Sequence, residues 1–214
     1  MIQAVIFDLD GVIVDTAHYH FIAWKRLADE LGIPFTDKEN EQLKGVSRMR
    51  SLEIILELGH AQLPAKTKEE LADKKNQWFV EYVHAMKPDE IFPGVKELIA
   101  GIRARGMKVA LASSSKNADA VLTLLDIKNL FDAIVDGTMI KHTKPDPEIF
   151  LLAARLLHVS PADCLVFEDA EAGVEAALAA GMKCVGVGSV DQLPRAHYHV
   201  ASTANFTVSQ IEKI

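Results

Sequence analysis

Asp8 and Asp10 stand two residues apart at the end of the apolar run Val5-Ile6-Phe7, and Gly11 follows at once. Three apolar residues in succession read as a strand covered on both faces. Burying a carboxylate is costly unless a cation or a hydrogen-bond donor compensates it. Two of them at the end of one buried strand suit a metal site, a nucleophile with a proton-transfer partner, or both. Two more apolar runs end in polar groups. Val109-Ala110-Leu111-Ala112 leads into Ser113-Ser114-Ser115, and Leu165-Val166-Phe167 leads into Glu168-Asp169. A short strand, Ala133-Ile134-Val135, precedes a loop that carries Lys141-His142-Thr143-Lys144-Pro145. In a parallel sheet the C-terminal ends of the strands share one edge, where open α/β sheets bind ligands. The pattern therefore delivers Asp8, Asp10, Ser113, Glu168 and Asp169 to one crevice, with Lys144 as the cation that balances them.

The elements that must position these groups alternate along most of the chain. After Phe92-Pro93-Gly94 the reading is helix 95–105, strand 108–112, helix 117–125, strand 133–135 and a helix from about 147 to 158. Strand 164–167, helix 173–180 and strand 183–187 complete it. Such alternation implies a mostly parallel sheet with helices on both faces. Residues 16–86 differ, because no strand pattern interrupts them. Phe21, Trp24, Leu27 or Ala28, and Leu31 recur at helical spacing. Thr36-Asp37-Lys38-Glu39 and Thr67-Lys68-Glu69-Glu70 read as capping boxes that open two further helices, the second running to about Met86. Ser51 to Leu58 reads as a shorter helix. The expected organisation is a core of residues 1–15 and 87–214 with a helical cap, 16–86, inserted after the first strand. Two connections, near Asp15-Thr16 and Lys87-Pro88, would act as hinges, and a cap that closes excludes water.

Bulk properties narrow the partners. The chain has 214 residues, 49% of them hydrophobic and 25% charged, with a formal net charge of −7 and no basic run. That balance argues against nucleic acid or an anionic membrane as the main partner. No apolar stretch is long enough to span a bilayer. Met1-Ile2-Gln3 leads directly into a strand, so no secretory signal is expected and a cytoplasmic location is. Cys164 and Cys184 each lie in or beside an apolar run and read as buried, reduced thiols. A monomer is the expectation. A phosphate-bearing substrate would have to be attracted by local cations and a metal.

Four stretches in order, Asp8-Leu9-Asp10-Gly11-Val12, Ser113, Lys144-Pro145 and Glu168-Asp169, resemble the motifs of the haloacid dehalogenase-like (HAD) superfamily of phosphotransferases. The resemblance spans the whole chain. It implies an α/β fold, a Rossmann-like parallel sheet core with helices on both faces and an inserted all-helical cap domain. It further implies Asp8 as the nucleophile that accepts a phosphoryl group and Asp10 as general acid and base. Ser113 and the amides after it would bind the transferring phosphate, and Lys144 would add a cation. Phosphoryl transfer depends chiefly on charge neutralisation. An oxygen-only donor set favours Mg²⁺, held by the Asp8 carboxylate, the Asp10 backbone carbonyl, Glu168 and Asp169.

The cap would decide the substrate. Lys44-Gly45-Val46-Ser47-Arg48 falls between cap helices, where Gly45 permits close backbone approach and Arg48 suits bidentate phosphate binding. Ser115-Lys116-Asn117 would grip the same distal phosphate from the core. A hydrolase of a monophosphate needs one phosphate site, whereas a mutase that passes through a bisphosphate needs two. Asp15-Thr16-Ala17-His18, His20, Trp24, Lys75-Asn76 and the two stretches just named resemble the phosphomutases of the superfamily that carry such a cap. That resemblance implies interconversion of β-glucose 1-phosphate and glucose 6-phosphate through β-glucose 1,6-bisphosphate. It places Trp24, Lys44, Gly45 and Val46 at the substrate, with His20 and Lys75 touching the sugar or coupling closure to Asp10. Ser114, also placed at the substrate, departs from a position where alanine is common, a change its backbone amide would survive. A HAD hydrolase of a small sugar phosphate is the alternative. A non-catalytic phosphosugar-binding module is a third reading, disfavoured by intact Asp8, Asp10, Lys144 and Asp169.

Overall fold

The computed structural model describes residues 1–211 and 213–214. Strand β1 (Ala4–Phe7) lies inside a six-stranded sheet of order β3-β2-β1-β4-β5-β6. The others are β2 (Lys108–Ala112), β3 (Ala133–Val135), β4 (Cys164–Glu168), β5 (Lys183–Val187) and β6 (Tyr198–Val200). Every neighbouring pair is parallel. Phe7 is in register with Leu111 on one side and Phe167 on the other. Asp8, Ser113 and Glu168 therefore emerge along one edge, on either side of β1 where the strand order reverses, as the polar strand ends require.

Successive strand residues face opposite ways, and here both faces are covered, which is why the strands are apolar throughout. Ile6, Ala112, Val166 and Cys184 pack against Phe150, Ala153 and Ala177 of helices α7 (Glu148–Leu157) and α8 (Glu171–Ala179). Val5, Phe7, Leu111, Leu165 and Phe167 face α5 (Val95–Ala104) and α6 (Ala118–Leu124) through Val95, Ile99, Val121 and Leu122. Phe7 and Phe167 stack at 4.9 Å between ring centroids, and Phe206 meets Phe167 edge-on at 4.9 Å. Full burial of one such ring stabilises the fold by about 1.5–3 kcal/mol. Cys164 and Cys184 are free and buried, as expected. Among the described residues no helix is long and apolar enough to cross a membrane.

The segment between β1 and β2 opens with four α-helices. Helix α1 (Thr16–Glu30) starts where the strand pattern gives way, because the Asp15 carboxylate caps it by accepting from His18 N at 3.2 Å. The Thr36/Glu39 capping box opens α2 (Asp37–Asn40) as expected. Helix α3 (Arg48–Leu58) begins at Arg48 rather than Ser51, since Ser47 caps it by accepting from Arg50 N. Helix α4 (Ala65–Val83) begins before the expected capping box and ends short of Met86. Pro64 sets that boundary: it precedes two good helix formers, so Thr67 falls inside the first turn instead of capping it. Helices α1 and α4 pack along one another and bury Trp24, Leu27, Phe79 and Val83.

Where the chain leaves and re-enters the sheet, the two connections run side by side. Val14 forms an antiparallel bridge with Ile91, and Phe92 N donates to Ile13 O at 2.9 Å. The Thr203 hydroxyl donates to Val12 O at 2.7 Å from the C-terminal segment. That segment also holds β6 and a short helix, α9 (Val208–Ile211), neither of which the apolar patterning indicates.

Candidate active site

Asp8, at the end of β1, is 5% exposed, and Lys144 is 2% exposed. The Lys144 ammonium donates to Asp8 Oδ1 at 2.5 Å, to Glu168 Oε2 at 2.8 Å and to Ala112 O at 3.3 Å. Burial alone would push its pKa down, but the Asp8 and Glu168 carboxylates outweigh that and raise it. Lys144 is therefore a permanent cation under the floor of the crevice. Glu168 Oε1 also accepts from Ala170 N at 3.2 Å, so both of its oxygens are engaged.

One ammonium does not neutralise four acids. Burial, with Asp8's charge next, raises Asp10 to about 7 and Asp169 to about 8. Burial raises Glu168 to about 8 against the pull of Lys144. Asp8, Glu168 and Asp169 each present an oxygen within 4.8 Å of the other two. A buried, oxygen-only cluster with surplus negative charge fits a hard divalent cation. The Asp10 side chain stands apart from that trio, because its Oδ1 accepts a short hydrogen bond from the Thr16 hydroxyl at the start of α1. Gly11 is required between them. Its φ is +78°, and a Cβ there would overlap the Asp169 carboxylate.

The helical insert supplies the opposite wall. His20 on α1 stacks on Phe79 at 3.9 Å, and its Nδ1 accepts from the Lys75 ammonium at 2.7 Å. Lys75 also sits 4.5 Å from the Trp24 ring and 4.9 Å from that of Phe79. Burial first, then each other's proximity and Arg48, holds His20 well below its ordinary pKa. Burial and the Arg48 charge likewise lower Lys75, while Asp10 acts in the other direction. A neutral imidazole accepting from an amine satisfies both groups in a site that disfavours charge.

Beside the cavity, two hydrogen bonds join the loop after β2 to the helical insert. The Ser114 hydroxyl donates to Gly45 O at 2.9 Å, and Asn117 Nδ2 donates to Asn76 Oδ1 at 2.8 Å. Gly45 has φ +72°, and its Cα faces Ala170, so a side chain there would be both strained and crowded. The Ser114 side chain thus ties the loop after β2 to Gly45.

Between floor and wall lies a cavity of about 310 Å³. Every residue expected to act lines it except Ser113, Lys144 and Glu168. Those three lie beneath the surface. Ser113 is fully buried, and its Oγ accepts from Ser115 N at 3.2 Å, so its hydroxyl serves its own loop here. Other lining residues escaped the sequence reading, among them Asn40, Lys141 and Thr143. Lys141 and Thr143 precede Lys144 on one loop, which was the available signal. Asn40 gave none.

Comparison with known proteins agrees with this geometry. A sequence model of haloacid dehalogenase-like hydrolases matches residues 2–181. The β-phosphoglucomutase of Bacillus subtilis is 46% identical over 213 residues, covering 99% of this chain and 94% of that protein. A phosphorylated-carbohydrate phosphatase of Thermotoga maritima is 36% identical over 184 residues, 85% of this chain and 82% of that one. The crystal structure of β-phosphoglucomutase from Clostridium difficile superposes with a TM-score of 0.96 at 43% identity, covering 100% of this chain and 96% of that one. With its polar strand ends, its reversal of strand order at β1 and these full-length likenesses, the chain belongs to the haloacid dehalogenase-like hydrolase family.

Proposed function

We propose that this protein is a phosphomutase that interconverts β-glucose 1-phosphate and glucose 6-phosphate through β-glucose 1,6-bisphosphate. One observation carries this reading over simple hydrolysis. The cavity that holds Asp8 and Asp10 is also lined by Arg48, Ser115, Lys116 and Asn117, a second set of anion-binding groups. A monophosphate hydrolase has no use for it. The full-length likeness to two β-phosphoglucomutases supports the same substrate.

In this reading residues 16–86 act as a cap over a core of residues 1–15 and 87–214. The phosphorylated form of Asp8 gives its phosphoryl group to the sugar's free hydroxyl. A new P–O bond forms to that oxygen, the bond to the Asp8 carboxylate breaks, and Asp10 takes the hydroxyl proton. The bisphosphate then turns over in the cavity. An Asp8 oxygen attacks the other phosphorus, the sugar–phosphate bond breaks, and Asp10 returns the proton to the leaving oxygen. An Asp10 pKa of about 7 lets one group hold and release that proton near neutrality. Lys144 holds the Asp8 carboxylate in place through its 2.5 Å hydrogen bond. His20 and Lys75 line the sugar side, and Trp24, Lys44, Gly45 and Val46 complete the wall. Mg²⁺, which the Asp8 carboxylate, the Asp10 backbone carbonyl, Asp169 and Glu168 would hold, supplies positive charge at the transferring phosphate when bound. All of these groups come from one chain, so a monomer suffices.

The test is incubation with Mg²⁺, β-glucose 1-phosphate and catalytic bisphosphate, with glucose 6-phosphate and free phosphate followed separately. Glucose 6-phosphate in large excess over phosphate is expected. Stoichiometric phosphate would hand the site to the hydrolase reading. Addition of a chelator should abolish turnover, and excess Mg²⁺ should restore it; full activity in the chelator would remove the cation role given to Asp169 and Glu168.

Arg48→Ala separates the two phosphate sites. One charge-assisted contact is worth roughly 1.5–3 kcal/mol, so mutase kcat/KM should fall about ten- to a hundredfold. Hydrolysis of acetyl phosphate, which has no distal phosphate, should fall much less. An equal fall in both would mean that Arg48 supports the fold or the proximal site.

A further inference from the structure

Asn76 follows Lys75 on α4 but does not line the cavity. Its side-chain oxygen Oδ1 nevertheless accepts two hydrogen bonds at once. Arg48 Nη2 donates at 2.7 Å, and Asn117 Nδ2 donates at 2.8 Å. Arg48 opens α3 of the insert, whereas Asn117 stands on the core loop that follows β2. A single atom therefore joins two cavity-lining donors that approach from different parts of the chain. We propose that Asn76 is the positioning residue of the distal phosphate site: it brings Arg48 and Asn117 into one arrangement when the insert closes, and it does so with a neutral acceptor. The inference rests on the phosphomutase reading.

Neutrality is the point of the device. A guanidinium carries five N–H donors, and an uncharged amide occupies only part of that set. The Arg48 charge stays available to a phosphate. A carboxylate in the same place would pair with Arg48 by charge, often through two parallel bonds. It would also set a negative charge beside the incoming dianion. The nearest carboxylate to Arg48 is Asp73, 3.6 Å from Nη1, and it is 76% exposed. Solvent screens that pair. The half-buried partner of the guanidinium is thus neutral, and the charged one is kept at the wet rim. Burial holds the pKa of Arg48 down and Asp73 raises it, which matches a cation left short of buried counter-charge.

The experiment compares wild type, Asn76→Ala and Asn76→Asp in two reactions, mutase turnover and acetyl phosphate hydrolysis, with melting temperature as a control. For Asn76→Ala the ratio of mutase to acetyl phosphate kcat/KM should fall about ten- to thirtyfold, mainly through a higher KM for β-glucose 1-phosphate and for the bisphosphate. Arg48→Ala combined with Asn76→Ala should lose clearly less than the product of the two single losses, since the two share one contact and only the Asn117 bond is lost in addition. Asn76→Asp keeps an acceptor oxygen and adds a charge, and it should lose at least as much as the alanine variant. Rescue by aspartate would overturn the neutral-acceptor assignment. An unchanged ratio, whether neither reaction falls or both fall alike, would overturn the positioning role. Wild-type protein without mutase activity would instead overturn the phosphomutase reading on which the inference rests.

Discussion

Asp8→Asn is expected to leave a folded protein with no measurable phosphoryl transfer. The amide has nearly the shape of the carboxylate, and its oxygen can still accept from the Lys144 ammonium that now lies 2.5 Å from Asp8 Oδ1. An amide oxygen does not form a stable acyl phosphate, so the covalent route closes. Removing a covalent nucleophile from a preorganised site lowers kcat by roughly 10⁴-fold or more. The effect on stability is small because two changes oppose each other. Lys144 loses one of its two counter-charges. Asp10, Glu168 and Asp169 lose a negative neighbour that raises the pKa of each of them. Without it they ionise more readily. Coupled turnover assays and thermal melts of wild type and variant check both halves. Mutase turnover within tenfold of wild type would remove Asp8 from the nucleophile's role, and a collapsed melt would make any loss of activity uninformative about chemistry.

The floor of the site was legible because each of its residues sits at the end of an apolar run. Apolarity over several residues requires a strand covered on both faces, and parallel pairing then fixes where the strand ends go. The register of Phe7 with Leu111 and Phe167 meets that expectation directly. Local chemistry was less informative where tertiary contacts decide. Thr67-Lys68-Glu69-Glu70 satisfies a capping box on paper, yet Pro64 had already set the helix boundary. Ser113 looks like a phosphate ligand by its place, but its hydroxyl is buried against Ser115 N. Tyr198–Val200 is a three-residue strand paired to β5, too short for the alternation of Tyr-His-Val to read as a strand. Asn76 shows the deeper limit. Its role depends on two donors that lie 28 and 41 positions away in the chain. Nothing in a neutral residue on a polar helix announces that meeting.

Lys144→Met should be the most damaging single change to the stability of the site. The ammonium is buried, and it compensates Asp8, Glu168 and the Ala112 carbonyl together. Methionine keeps the length and loses the charge. Removing one partner of a buried ion pair costs about 3–5 kcal/mol, because the other partner remains desolvated. In a chain of this size that corresponds to a fall of roughly 6–20 °C in melting temperature for the metal-free protein. The sign of the pH dependence follows from the carboxylates. Lys144 lowers the pKa of Asp10, Glu168 and Asp169, so without it they rise further. A folded-state carboxylate pKa above its unfolded value gives a folded state that binds extra protons, and stability then falls as pH rises through that interval. With Glu168 and Asp169 near 8 even in the intact site, the deficit should be larger at about pH 8 than at about pH 6. Protonated carboxylates also bind a cation poorly, so the variant should need more Mg²⁺ for whatever turnover remains, and kcat should fall by roughly 10²–10³-fold with the loss of one preorganised charge. Melts at the two pH values, with and without Mg²⁺, separate these effects. A deficit of the same size at both pH values would mean that Lys144 acts by packing, and a melting temperature equal to wild type at both would mean that the buried carboxylates are compensated by something other than this lysine.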